Sequence, residues 1–208
     1  MPVEVVGGVQ LKKALNKYEP DLAKAMRKEI GSYLKPVVNT ARSYVPSVAP
    51  LSGWGLGSTP KYGVNYRPFP KFYAPRMKSG IGYSSGNTRP NKSGFTYLAR
   101  IYNKSAAGAI YETAGRLNPF GSPRSRSLNP NAGRQFIQAM PPITKGYGSP
   151  RADGKPPYKM DGRLIYRAWA ETNGQVVPKV IAAMAKAKVE FNRRKAIKEA
   201  QLAARLAA

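Results

Sequence analysis

The sequence predicts an α+β protein in which a long N-terminal amphipathic helix and a C-terminal helix pack on a small antiparallel sheet. Three observations predict it: helical spacing of apolar residues before residue 45, alternation around residue 98, and helical spacing again after residue 162. Most of the 20 Gly and 19 Pro fall in residues 46–94 and 118–162, which we expect to be long irregular loops. We expect 1–208 to be one domain, with 192–208 a basic, Ala-rich helical extension.

The N-terminal helix is predicted from residues 9–45. Pro20 followed by Asp21 predicts a break and a fresh helix start, because proline and an acid suit a first helical turn. Pro36 lies within the apolar periodicity and predicts a kink rather than a stop. The apolar positions recur mostly three and four residues apart: Leu11, Leu15, Tyr18, Leu22, Met26, Ile30, Tyr33, Leu34, Val37, Val38, Ala41 and Tyr44.

A strand is predicted within residues 94–114, where Phe95, Tyr97, Ala99 and Ile101 alternate with other residues. Residues 81–84 are its predicted antiparallel partner. This places Glu112 at the end of the strand.

The C-terminal region is predicted to hold two helical stretches. Leu164, Ile165, Ala168 and Trp169 give the first, and a longer helix runs from residue 176 to the end. The segment 172–174, Thr-Asn-Gly, is predicted to break the helix between them.

The composition argues against most enzyme chemistry. The chain has no Cys and no His, which excludes thiol nucleophiles, thiolate or imidazole metal sites and histidine triads. Lys and Arg number 35 against 10 Asp and Glu, a formal net charge of +25. We therefore expect no enzyme, no metal and no cofactor. No signal-peptide pattern and no apolar run of membrane-spanning length is visible, which predicts synthesis in the cytoplasm.

The remaining chemical candidates have simple structural explanations. Most acids lie among bases on helical segments, where surface pairing accounts for them. Glu112 is the first acid after Glu29, with eleven bases between them, and a salt bridge is the expected role. The segment 53–58, Gly-Trp-Gly-Leu-Gly-Ser, lacks the Lys-Ser/Thr ending of a phosphate-binding loop.

The basic surplus has two open interpretations. Aromatic and basic residues are interleaved in residues 61–76, a pattern that can bind single-stranded nucleic acid through phosphate neutralisation and base stacking. The same cationic loops could instead dock on an acidic protein partner.

Two sequence segments resemble a known family. They are Thr-Ala-Arg-Ser-Tyr-Val-Pro at 40–46, followed by a Gly-containing loop, and Ala-Ile-Tyr-Glu-Thr-Ala-Gly at 109–115. Together with the C-terminal helix from Val176 to Phe191, this order of parts resembles the neck or tail-completion proteins of long-tailed bacteriophages, a broad family related to the minor tail protein Z of phage lambda.

The resemblance implies a non-enzymatic virion protein at the head-to-tail joint, made in the host cytoplasm. It implies self-assembly into a closed ring, sixfold or twelvefold, that contacts connector, head-closure and tail-terminator proteins and surrounds viral DNA; no membrane is involved. The alternative is a ribosome-associated or DNA-packaging protein that binds nucleic acid. The expected inter-subunit anchors are Trp54, Tyr62, Tyr66, Phe69, Phe72 and Tyr73. The expected basic contacts to DNA or an acidic partner are Arg116, Arg124, Arg126 and Arg134.

Overall fold

The structure is a computed structural model, and it describes residues 7–56, 70–85, 97–115, 132–143, 146–149 and 158–207. The chain order is α1 (Gly8–Tyr18), α2 (Pro20–Ser43), α3 (Ser52–Leu56), α4 (Ala74–Gly80), β1 (Ile81–Ser84), β2 (Arg100–Asn103), α5 (Ala106–Thr113), α6 (Ala132–Gln138), β3 (Gly146–Ser149), β4 (Tyr158–Asp161) and α7 (Ile165–Ala207). Strand β1 pairs with β2, and β3 pairs antiparallel with β4, with Tyr147 opposite Met160.

This content of many helices and short strands confirms the α+β class at a coarse level. The packing of the terminal helices on a sheet stays a prediction. The chain divides into two compact units, the first formed by residues 36–82 and 101–172 and the second by residues 2–35, 83–100 and 173–208. None of the described helices is long and apolar enough to cross a membrane.

The core of the second unit is built from helical faces. The buried apolar side chains recur at helical spacing, which is the pattern that places them on one side of each helix. They are Leu15, Ala23, Met26, Ile30, Leu34, Val176, Ala183, Met184 and Ala187. Gly8 lies against Met184, because a Cβ built on Gly8 would come within 2.8 Å of the Met184 Cε.

A charge network joins α7 to the junction of α1 and α2 in this unit. Arg194 binds Glu19 at 3.0 Å, Asp21 at 2.7 Å and Glu190 at 2.9 Å. Lys198 donates a further hydrogen bond to Glu19, at 2.5 Å. Side-chain hydrogen bonds from these cations hold the carboxyl pKa values of Glu19 and Asp21 below their usual range. The ion pairing expected for these acids is confirmed; Asp21 pairs at the surface, whereas Glu19 is buried.

The same unit contains a buried lysine. Lys12 is 1% exposed, and its Nζ donates to the Leu98 carbonyl oxygen at 3.0 Å. Burial, assisted by the nearby positive charge of Arg27, lowers the pKa of Lys12 to about 8.

The first unit depends on two buried charged side chains. Glu112 accepts hydrogen bonds from the backbone amides of Leu164 and Tyr166, the latter at 2.8 Å, at the start of α7. These amides have no partner inside their own helix, and a carboxylate there also suits the helix dipole. Gly162 permits this approach, since a Cβ at that position would lie 2.4 Å from the Glu112 Oε1.

Arg163 satisfies carbonyl groups next to Glu112. Its guanidinium donates to the carbonyl oxygens of Tyr111 and Ala114 at 2.8 Å and to that of Pro141 at 2.5 Å. Burial lowers the pKa of this guanidinium. One side chain therefore connects the end of α5 with the segment that follows α6.

Three expectations from the sequence are wrong. The strand predicted over 94–114 is confined, among the described residues, to β2, and Glu112 lies on helix α5 rather than at a strand end. Ser105 caps α5, because its Oγ accepts the Gly108 amide at 3.1 Å. The break predicted at 172–174 is absent from the continuous helix α7, where the Thr172 hydroxyl donates to the Ala168 carbonyl oxygen. The two predicted loop regions hold helices α3, α4 and α6 and strands β3 and β4.

Three expectations are confirmed. Residues 81–84 form strand β1, which pairs with β2. Helix α1 ends at Tyr18 and α2 begins at Pro20, as Pro20 and Asp21 predicted. Pro36 lies inside α2 and does not end it.

Replacing Glu112 with Gln is expected to lower the free energy of unfolding by about 1–3 kcal/mol. The amide nitrogen of Gln would oppose one of the two backbone N–H groups and leave it unpaired in a buried place. Urea denaturation measures the effect. Glu199→Gln is the matched control, because Glu199 forms only an exposed ion pair with Lys195 at 3.6 Å; its effect should stay within about 0.5 kcal/mol. Equal losses in the two variants would contradict the capping role.

Acid should weaken the charge network of the second unit. The Glu190 pKa is lowered from 4.5 to about 2, chiefly by hydrogen bonds from Arg193 and Arg194. A depressed folded-state pKa gives stability that is complete above 4.5 and disappears as the pH falls toward 2. The melting-temperature difference between the wild type and Arg194→Gln should therefore be largest above pH 4.5 and shrink toward pH 2. A difference that is constant across this range would contradict it.

Candidate interaction groove

Backbone and side-chain hydrogen bonds join helix α3 to the segment before α4. The Trp54 Nε1 donates to the Pro70 carbonyl oxygen at 2.7 Å. The Phe72 amide donates to the Trp54 carbonyl oxygen at 3.1 Å. The two segments are thus fixed side by side within the first unit, although thirteen residues of sequence separate their described parts.

An aromatic cluster holds helix α6 against these segments. The Trp54 ring packs edge to face on Phe72 at 5.2 Å and on Phe136 of α6 at 5.0 Å between centroids. Such pairs stabilise a core beyond the area they bury. Trp54 is only 3% exposed and Phe72 6%, so this cluster is part of the interior of the first unit.

An open apolar groove lies on the outside of the cluster. Its volume is about 390 Å³. Val48 and Tyr73 on its walls are 75% and 58% exposed, whereas Phe72 forms its floor. The lining residues are Ser47, Val48, Ala49, Gly55, Phe72, Tyr73, Ala74 and Pro75. We refer to them as the Val48 groove.

Two cations are the sequence neighbours of residues that line the Val48 groove. Lys71 directly precedes Phe72 and Arg76 directly follows Pro75, and both side chains are exposed. Neither forms an ion pair with an acid among the described residues. No lining residue is charged. The apolar lining of the groove is thus flanked in sequence by two exposed cations, which we refer to as its rim.

The acids of the described residues have partners away from the groove. Eight of the ten acids lie in the described residues, and each has a partner in its own chain. Glu171, for example, binds the Tyr44 hydroxyl and Arg167, while the Arg167 guanidinium stacks 4.1 Å from the centre of the Tyr44 ring. Within the same described ranges, no acids cluster in a way that could hold a metal ion.

The structure separates the predicted anchors into two kinds. Trp54 and Phe72, expected as inter-subunit anchors, are interior residues of the first unit, and an anchoring role for them stays a prediction. Tyr73 is exposed on the Val48 groove, and its anchoring role stays a prediction. Arg134 is exposed on α6, two residues before Phe136. The other predicted anchors and contacts lie outside the described residues: Tyr62, Tyr66, Phe69, Arg116, Arg124 and Arg126.

Sequence reasoning missed the most exposed apolar residue of the groove. Val48 stands between Pro46 and Pro50, in a segment that cannot continue a helix. An apolar residue in such a short segment has no helical face on which to be buried. An apolar residue in a short segment between two prolines is therefore the sequence pattern that indicates an exposed apolar position here.

Comparisons of the whole chain with protein-family models, curated proteins and solved structures gave no significant match.

Substitutions at Trp54 and Tyr73 should change the free energy of unfolding to different extents. Trp54→Ala is expected to lower the free energy of unfolding by about 3–5 kcal/mol, because it removes the centre of the aromatic cluster. Tyr73→Ala, at an exposed position, should change it by less than about 0.5 kcal/mol. Urea denaturation of both purified variants measures these changes in the free energy of unfolding. An unchanged free energy of unfolding in Trp54→Ala would show that the aromatic cluster does not stabilise the first unit.

Proposed function

We propose that this chain is a non-enzymatic structural protein of a bacteriophage virion, a component of the neck that joins head to tail and assembles as a closed ring. The resemblance of residues 40–46 and 109–115 to the tail-completion family is the starting point. The roles of the polar residues in these two segments carry the proposal.

Arg42 in the first segment and Glu112 in the second stabilise the fold by binding backbone groups. Arg42 donates from Nε and Nη2 to the Ile81 carbonyl oxygen, at 3.1 and 2.7 Å. Glu112 accepts from the amides at the start of α7. A side chain whose polar atoms hold neighbouring elements in place suits a scaffold rather than a catalyst. The two segments that resemble the family are therefore segments that organise the first unit.

Two exposed features support assembly: the first suits contact with a neighbouring virion protein, and the second suits contact with another copy of this chain. The Val48 groove offers apolar surface on the first unit, of the kind found at protein interfaces. In the second unit every residue from 195 to 206 of α7 is exposed, including Leu202 and Leu206. Helices in proteins gain most of their stability from packing, and residues 195–206 would gain it by packing on a neighbouring molecule. In a ring, each copy has such a neighbour.

The positive charge fits a place beside DNA or an acidic ring. With the described acids engaged inside the chain, the surplus of Lys and Arg faces outward. A cationic surface attracts polyanions over several ångströms and lowers the cost of holding DNA near it. The expected neighbours are the connector, head-closure and tail-terminator proteins.

Virus particles from the source host test the proposal. Quantitative mass spectrometry should find this chain in purified particles at a small fixed copy number, which closed cyclic symmetry requires of a single ring. A major head protein in the same sample provides the internal standard. Absence of the chain from particles would contradict the proposal.

A nucleic-acid-binding protein is the second candidate. The exposed ring of Tyr73 lies between Lys71 and Arg76, the combination of stacking surface and cations that single strands use. The salt dependence of oligonucleotide binding separates the candidates. Phosphate contacts predict an affinity that falls steeply with salt, whereas ring contacts made by apolar residues should tolerate it.

A further inference from the structure

We propose that the Val48 groove binds a segment of another protein in which apolar side chains are flanked by Asp or Glu. This deepens the proposed function, and it rests on that function only for where the partner is found. The argument uses the shape of the groove, its rim and the state of the acids in this chain.

The groove is suited to apolar side chains. Its volume of about 390 Å³ accommodates a few side chains rather than a whole element. Phe72 lies at its floor, and Val48, Ala74 and Pro75 add aliphatic surface. Exposed apolar surface of this kind costs free energy in water, and covering it with a matching side chain recovers that free energy.

The rim selects the charge of the flanking residues. Lys71 and Arg76 are exposed beside the lining and have no acidic partner among the described residues. Carboxylates next to the inserted apolar side chains would pair with them, whereas basic flanks would be repelled. Complementary charge at a rim chiefly increases the rate of association and excludes wrong partners.

The described acids favour a different protein over a second copy as the partner. A second copy would have to supply free carboxylates, and each of the eight described acids already has a partner in its own chain. Glu19 and Glu112 are in addition buried. Supplying one of them would break an internal contact.

A peptide is favoured over a single nucleic-acid strand by the concave apolar part of the groove. Base stacking needs only an exposed ring such as Tyr73. It does not use the aliphatic surface of Val48 and Ala74, which a Leu or Phe side chain would cover.

Fluorescence anisotropy with synthetic peptides tests the inference on the purified full chain. The probe is a short peptide with Leu and Phe between Asp and Glu residues. One comparison peptide keeps the apolar residues with Lys flanks, and another keeps the acids with Ser in place of Leu and Phe. The first should bind and the other two should bind much more weakly.

Groove variants locate the binding site. Val48→Glu should weaken binding of the probe roughly tenfold, since it places a carboxylate on the apolar wall. The double variant Lys71→Glu, Arg76→Glu should weaken the acidic probe by a similar factor and bind the Lys-flanked peptide better. All three positions are exposed, so the variants should fold. Val189→Glu and Lys186→Glu, exposed positions on α7, are matched controls and should leave binding unchanged.

Three results would overturn the inference. The first is failure of the probe to bind. The second is equal binding of the acidic peptide that lacks Leu and Phe, because this would show attraction by charge alone. The third is binding of a single-stranded oligonucleotide that requires Val48 while the peptide does not bind. These results are independent of the copy number in virus particles, so the inference and the proposed function can fail separately.

Discussion

The scarcity of carboxylates is the constraint on which the structure of this chain depends. Ten acids serve 35 bases, so each carboxylate has several possible cationic partners and its position decides which contacts form. Glu19 forms ion pairs with both Arg194 and Lys198, and the buried Glu112 accepts hydrogen bonds from two backbone amides. The contacts that hold helical elements together within each unit thus use the few acids available. Lys71, Arg76 and other exposed bases without an acidic partner among the described residues give the surface its positive charge.

The two units use their charges in different ways. In the second unit, exposed and half-buried ion pairs gather around Arg194, and water and salt screen them. In the first unit, Glu112 and Arg163 are buried and bind backbone groups, which keeps their charges satisfied without bulk water. Buried groups of this kind are costly to disturb, and they fix the geometry of the chain around α5 and the start of α7. The aromatic cluster beneath the Val48 groove belongs to this same unit.

Local signals in the sequence predicted some secondary-structure elements correctly and others wrongly. Pro20 with Asp21 marked the start of α2 correctly, because both preferences act within a single turn. The same kind of reasoning failed at 172–174, where the cost of Asn and Gly in a helix is about 1 kcal/mol or less each and the flanking helical stretches overcome it. The alternation that predicted a strand within residues 94–114 does not extend past residue 105, because Ser105 caps helix α5. The burial of Trp54 could not be predicted locally, because its partner Phe136 lies 82 positions further along the chain.

Gly162 illustrates how such long-range contacts constrain a sequence as it evolves. The carboxylate of Glu112 occupies the space where any larger residue at 162 would place its first side-chain carbon. The two positions are fifty residues apart in sequence, yet neither can change freely while the other stays the same. Among homologous chains, glycine at the position of 162 and an acid at the position of 112 should be inherited together. Where one is lost, the other is released from selection, and the start of α7 must then obtain its cap from a different residue.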